Sequence, residues 1–241
     1  MSGVQLAMDT GTDRLSVAAR RPGGPIEEAA LEGARRHARD LIPMVNDLLG
    51  GLGATPADLT LVAVADGPGS FTGLRVGAAF AKALARDPSV SLWSAPSLLL
   101  RAASVGAPGT RVLAVSSALR GELYAGAWGF GKDGSITCLL PPAVHAREAL
   151  QALPRPDCVI GDGPEEVVDA LVSALGTPII GPPGAWPAAK TLLELVGRPG
   201  GAVVITDPAG WEPVYGRPAE AQAQWELRHG RPLPDSPSQF G

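Results

Sequence analysis

In Ala65-Asp66-Gly67-Pro68-Gly69-Ser70-Phe71-Thr72-Gly73-Leu74-Arg75-Val76-Gly77-Ala78 three structural signals follow one another. The apolar run Leu61-Val62-Ala63-Val64-Ala65 that leads in is short and bounded by turn residues, as expected of a buried strand. The run from Leu74 to Arg86 lacks proline and is dominated by alanine and other helix formers. Between them, Gly67, Gly69 and Gly73 permit approaches that a β-carbon forbids, while Pro68 stiffens the turn. Ser70 or Thr72 is placed to cap the first free N–H groups of the helix. The stretch therefore predicts strand, glycine loop, helix. Such a helix terminus suits a phosphate, a carboxylate or a partner's acidic side chain. No Lys followed by Ser or Thr closes the loop, so it is not a Walker loop, and it is not a G-x-G-x-x-G dinucleotide turn.

Composition bounds the alternatives. The 241 residues are 45% hydrophobic and 18% charged, enough for one large core or two modest ones. A net charge of −4 and a pI near 5.4 argue against a free-standing nucleic-acid binder, which needs a dense basic surface. A nucleic-acid site shared with a partner is compatible with that charge. Cys138 and Cys158 are too few and too isolated for a disulfide scaffold or a thiolate zinc site, and a reduced, cytoplasmic setting is expected. Val4 to Met8 follows no basic leader, and no apolar run approaches the ~18 residues of a membrane span. A soluble, unprocessed protein is expected.

Val4–Met8 and Leu15–Ala19 read as a hairpin closed by Asp9-Thr10-Gly11-Thr12-Asp13, with a third short strand near Ile26–Leu31. Taken alone, these turn residues fit an Asx-type closure as well as a phosphate loop. Leu41, Val45, Leu48 and Leu52 fall at helical spacing, with Pro43 near the start and Gly50-Gly51 or Gly53 at the end. In the helix from Leu74, Val76, Phe80 and Leu84 supply a packing stripe. Gly77, Ala78 and Ala81 are then left to form a surface that another helix can approach closely. Val90–Trp93 reads as a strand, Ser97–Ser104 as a helix, and Gly106-Ala107-Pro108-Gly109 as a junction. Beyond it, Arg111–Ser116 and Glu122–Phe130 read as strands, Cys158–Gly163 as a strand entering a glycine turn, and Glu165–Leu175 as a helix. The residues from Arg228 to Gly241 are expected to be a mobile tail.

The string from Gly67 to Gly77 resembles the signature of the bacterial TsaB (YeaZ) family, a component of the apparatus that makes threonylcarbamoyladenosine in tRNA. The resemblance continues at His37-x-x-x-Leu41-x-Pro43, Gly121-Glu122-Leu123-Tyr124, Gly161-Asp162-Gly163 and Glu212-Pro213-Val214-Tyr215-x-Arg217. Ser117-Ala118-Leu119 departs from the Asp-Ala-Arg that the family often carries there, although Arg120 follows at once.

The resemblance implies an α/β protein of the actin-like or Hsp70 ATPase, ribonuclease H-like fold, with two tandem lobes, 1–106 and a reduced 107–227. Asp9, Thr10, Gly11 and Thr12 resemble the first phosphate loop of that superfamily, in which Asp9 would act on a magnesium-bound water while Gly11 and Thr12 meet phosphate. Gly67, Gly69, Ser70, Phe71, Thr72, Gly73 and Arg75 form the glycine loop and helix N-terminus. Leu41, Val45, Gly77, Ala78 and Ala81 would face a partner.

The implied function is that of a non-catalytic activator of TsaD, working with TsaE on tRNAs that read codons starting with A. A homodimer and ATP or ADP with magnesium at a composite interface are compatible with it. The sequence shows no nucleophile–base pair, no carboxylates paired at fixed spacing and no metal cluster, since His37, His145 and His229 are far apart. The competing readings are a nucleotide phosphohydrolase or kinase using Asp9 and, with less support, a glycoprotease-type peptidase.

Overall fold

The computed structural model describes residues 3–33, 36–118, 122–145, 149–150, 152–215 and 228. Arg120, Gly121, Arg217 and the expected tail beyond Arg228 lie outside them. Two sheets carry the chain.

In the first sheet, β1 (Val4–Asp9), β2 (Arg14–Arg20) and β3 (Glu27–Glu32) form an antiparallel meander. On the other side of β1 lie β4 (Leu59–Ala65) and β5 (Ser91–Ala95), both parallel to it. The second sheet repeats this plan: β6 (Arg111–Ser117), β7 (Leu123–Phe130) and β8 (Ile136–His145) form the meander, and β9 (Cys158–Gly161) and β10 (Ile179–Ile180) are the parallel pair. The duplication, invisible as a sequence repeat, gives the expected α/β architecture of two actin-like sheets.

Helices α1 (His37–Gly51), α2 (Phe71–Leu84), α3 (Ser97–Val105), α4 (Glu165–Leu175) and α5 (Ala189–Leu195) complete it. Strand alternation sorts the core. Leu6, Met8, Val62 and Val64 point to the outer face under α1, whereas Ala7, Ala63 and Ala65 point inward to a second cluster shared with Val112, Ala114 and Trp128 of the other sheet. Small inward residues let α3 and α5 lie close between the sheets. A third cluster, with Leu113, Val115, Val159 and Leu171, fills the outer face under α4.

The order of segments differs from the expected succession of lobes. The last strand, β11 (Val203–Ile205), pairs antiparallel with β5 at the edge of the first sheet, and α5 packs against β1 and β2. Arg20 donates to the Leu193 carbonyl, and Ser16 accepts the Ala189 N–H. Ala189–Leu195 and Val203–Ile205 therefore finish the first sheet, not the second. β8, β10, α5 and β11 are additions to the sequence reading. The first of these contains Pro141 and Pro142, which an edge strand tolerates because its outer N–H groups need no partner.

α2 begins at Phe71, earlier than the expected Leu74, because Ser70 Oγ accepts the Gly73 N–H as an N-cap. Its face is the reverse of the expected one. Gly73, Leu74, Gly77, Ala78 and Ala81 are buried against β1 and β4, while Val76 and Phe80 are only half-buried. A β-carbon on Gly73 would lie 2.0 Å from the Thr10 carbonyl oxygen, and one on Gly77 would lie 2.4 Å from Thr10 Oγ1. The small residues exist for contact with the chain's own strand. Leu41 and Val45 of α1 face the same core. Leu41, Val45, Gly77, Ala78 and Ala81 are therefore interior residues, which corrects their assignment to a partner surface.

Gly77→Ala is expected to destabilise the fold by ~1–3 kcal/mol through overpacking against Thr10. Gly50→Ala, where nothing lies within 4 Å of the new methyl, is expected to stabilise it by about 0.5 kcal/mol through the unfolded chain's entropy. Urea unfolding of the two variants checks both signs.

Candidate functional site

Two loops meet at the carboxyl ends of β1 and β4. The Gly11 carbonyl accepts the Ser70 N–H at 2.7 Å, and Thr10 Oγ1 donates to the Gly73 carbonyl at 2.7 Å. Gly69 has to be glycine, since its β-carbon would lie 2.4 Å from the Gly11 oxygen. The structure thus brings together Asp9, Thr10, Gly11 and Thr12 with Gly69, Ser70 and Gly73, two groups far apart in sequence.

Asp9 and Thr10 are fully buried. Asp9 Oδ1 accepts the Gly11 N–H at 2.7 Å, which is the Asx-type closure, but Oδ2 has no partner. Burial away from water pushes the Asp9 carboxyl up to about 6, against the Gly11 hydrogen bond and the charges of Arg101, His37 and Arg14. His37 is buried and its Nε2 donates to the Thr12 carbonyl at 2.5 Å, tying α1 to this turn. Thr12 Oγ1 stays within its own turn, donating to the Arg14 carbonyl.

Asp66, where β4 enters the glycine loop, is a second carboxyl pushed up to about 6 by desolvation, opposed by its hydrogen bond with Ser94. Its main chain is clamped: Asp66 N–H donates to Ala95, and its carbonyl accepts the Val214 N–H. Gly67 has φ +109° and lies against the Val214 carbonyl, a place only glycine fills without strain. Beyond it the segment from Trp211 to Tyr215 straps the outer face of α2. The Tyr215 ring lies 4.7 Å from that of Phe71, Tyr215 Oη donates to Glu212, Glu212 pairs with Lys82 at 2.8 Å, and Arg75 lies over Phe71. Phe71 and Arg75 are thus bound up in the strap, whereas Thr72 is exposed.

Sequence reasoning missed Ser97 and Arg101. They lie one turn apart on α3, so they share a helix face. Ser97 Oγ is buried without a partner, and Arg101 Nη1 donates to Asp162 Oδ1 at 2.8 Å. The signal was one arginine in an otherwise apolar helix, Ser97-Leu98-Leu99-Leu100-Arg101-Ala102-Ala103.

Gly11, Thr12, Asp13, Gly69, Ser70 and Arg101 line a cleft of about 190 Å³ with Ser116, Ser117 and Asp162 of the second sheet. Pockets that enclose ligands of drug size run from about 300 Å³ upward, so this cleft lies below that range. A larger hollow of about 560 Å³ between β3 and α5, rimmed by Glu28, Glu32, Lys190 and Glu194, contains neither glycine loop nor Asp9 turn.

Because the carboxyl of Asp9 is pushed up from 3.8 to about 6, the folded chain holds that proton more tightly than the unfolded one. Stability is expected to fall as pH rises through this window and to level off above it, a contribution on the order of 3 kcal/mol. Asp66 acts in the same direction. Asp9→Asn keeps an acceptor for Gly11 and removes the ionisation, so its stability should change less between pH 4.5 and 6.5 than that of wild type. Thermal unfolding at the two pH values, giving equal slopes for both proteins, would contradict this.

Known proteins share this arrangement. Residues 20–157 match the family model "TsaD: tRNA N6-adenosine threonylcarbamoyltransferase". The chain is 29% identical to the tRNA threonylcarbamoyladenosine biosynthesis protein TsaB of Bacillus subtilis, over 91% of this chain and 96% of that protein. It is 34% identical to TsaB of Escherichia coli, over 59% of this chain and 64% of that one. Among solved structures, YeaZ from Pseudomonas aeruginosa superposes with a TM-score of 0.66 at 26% identity, covering 81% of this chain and 91% of that one. A second Pseudomonas aeruginosa structure, described as an uncharacterized protein with similarity to peptidase YEAZ, gives 0.71 at 26% identity over 89% of this chain and all of that one. With one relative of that name along nearly its whole length, a second over 59% of it and YeaZ as a structural neighbour, the chain belongs to the TsaB (YeaZ) family.

Proposed function

We propose that the protein acts in the formation of threonylcarbamoyladenosine in tRNA as the non-catalytic partner of a TsaD-type transferase. Membership of the TsaB family supports the pathway. The observation that carries the partner role is the outer face of the α1–α2 layer. Both helices pack on the same side of the first sheet and touch each other, with Leu41, Val45 and Ala81 turned inward. Met44 and Leu48 of α1 and Val76 and Phe80 of α2 are left half-buried, and Ile42 is 51% exposed. A row of half-covered apolar side chains on two adjacent helices suits helix-on-helix docking. The same face serves a homodimer, which would then compete with TsaD. In this reading TsaE supplies ATP turnover, and tRNA, including those that read codons starting with A, is met only through the complex.

The kinase or phosphohydrolase alternative draws on the unpartnered Oδ2 of Asp9. It is opposed by the volume of the cleft, which lies below the range of pockets that enclose ligands of drug size.

Phe80→Glu and Leu48→Glu place charges on the half-buried stripe, at residues that pack on the rim of the outer core. Each is expected to weaken association with TsaD by about tenfold or more, while the protein remains folded. Titration calorimetry against purified TsaD checks the affinity, and undiminished binding by both variants would rule out this face. Ala78→Arg is unsuitable for the purpose, because Ala78 is only 4% exposed and the change would test folding instead of docking.

A further inference from the structure

We propose that Arg101 is a positioning residue: from within the chain it supplies the cation that the Asp9 turn faces, and through Asp162 it latches the two sheets together across the cleft. The proposal stands whether or not the α1–α2 face docks a partner.

Arg101 is 3% exposed, the one buried lysine or arginine among the described residues. A guanidinium is removed from water at a large cost unless acceptors surround it. Here they come from separate parts of the chain. Asp162, in the turn after β9, accepts from Nη1 at 2.8 Å, and the Val115 carbonyl, near the end of β6, lies 3.4 Å from the same nitrogen. Arg101 itself stands on α3, which is buried between the sheets.

The second-sheet side of the joint is locked onto β6 by its main chain. Asp162 N–H points to the Val115 carbonyl, and Gly161, with φ +139°, rests on that oxygen where a β-carbon would come to 1.9 Å. The first-sheet side is Asp9. Of the charged side chains that favour its ionised form, Arg101 acts most strongly, ahead of His37 and Arg14. Ser97, one turn earlier on α3, brings its Oγ to 3.5 Å from where a Gly11 β-carbon would be, so this face of α3 abuts the Asp9 turn. An arginine suits this post better than a lysine because a guanidinium is more weakly hydrated than an ammonium and keeps its charge when buried. The cleft between the sheets is consequently a fastened joint, with its positive charge built in.

Hydrogen exchange of the full-length protein tests this on Arg101→Met, Asp162→Ala and the double variant. Each single variant is expected to exchange about tenfold faster in peptides covering residues 9–13 and 161–163, with α1 and α2 unchanged. The double variant should exceed neither single one, because both remove the same contact. Arg101→Lys should recover part of the protection. If Arg101→Met does not fold, Asp162→Ala and Arg101→Lys carry the comparison, since the Asp162 side chain is 41% exposed and its loss opens no core cavity. Unchanged exchange on either side of the cleft, additive effects in the double variant, or protection of the 9–13 and 161–163 peptides in wild type by magnesium ATP would each overturn the proposal.

Discussion

Backbone rests on backbone where α2 meets the end of β1. The Ser70 N–H reaches the Gly11 carbonyl, the Gly73 carbonyl takes the Thr10 hydroxyl, and no side chain separates the two segments. Only glycine at 69, 73 and 77 permits that approach. Much else follows from it. Because α2 lies so low on β1 and β4, the helix buries only Leu74, Ala78 and Ala81 beside its glycines. The bulk of the outer core is supplied by α1, through Leu41, Val45 and Leu49. The larger side chains of α2, Val76 and Phe80, are displaced sideways into half-exposure. One close contact thereby determines which residues fill the interior and which are offered to a neighbour.

The same approach drives two carboxyls out of water. Asp9 closes its own turn with one oxygen and leaves the other unmatched, and Asp66 keeps one oxygen unmatched while Ser94 holds the carboxyl. Buried carboxylates without full hydrogen bonding are costly, and native proteins keep few of them. The Gly11 hydrogen bond and the guanidinium of Arg101 offset part of that cost for Asp9. His37 and the strap from Trp211 to Tyr215 each pin one of the two loops by a main-chain contact.

How much of this was legible in the chain depends on what kind of signal each element leaves. Strands buried on both faces write continuous apolar runs, so β1, β4, β6 and β9 could be read directly. α1 could be read from the spacing of Leu41, Val45 and Leu48. α5 was missed because Ala189–Leu195 is too short to show a helical period. β8 was missed because most of its side chains are exposed and its prolines read as loop. At α2 the composition was read correctly and its meaning was inverted: Gly77, Ala78 and Ala81 announce a close neighbour, but composition cannot say whether that neighbour is another molecule or the preceding strand. Arg101 and Ser97 left almost no trace, because their roles are fixed by residues from the opposite sheet, and no local pattern encodes that meeting.

The return of α5 and β11 to the first sheet has a temporal meaning. A ribosome releases β1 through α3 long before residues 189–205 emerge, so the nascent first half presents the unfilled seat of α5 and the bare edge of β5. Contacts closed over such long stretches of chain are slow to form, and an uncovered strand edge invites wrong pairing meanwhile. The two sheets of this protein are consequently completed together, late in synthesis, and not as beads strung one after the other.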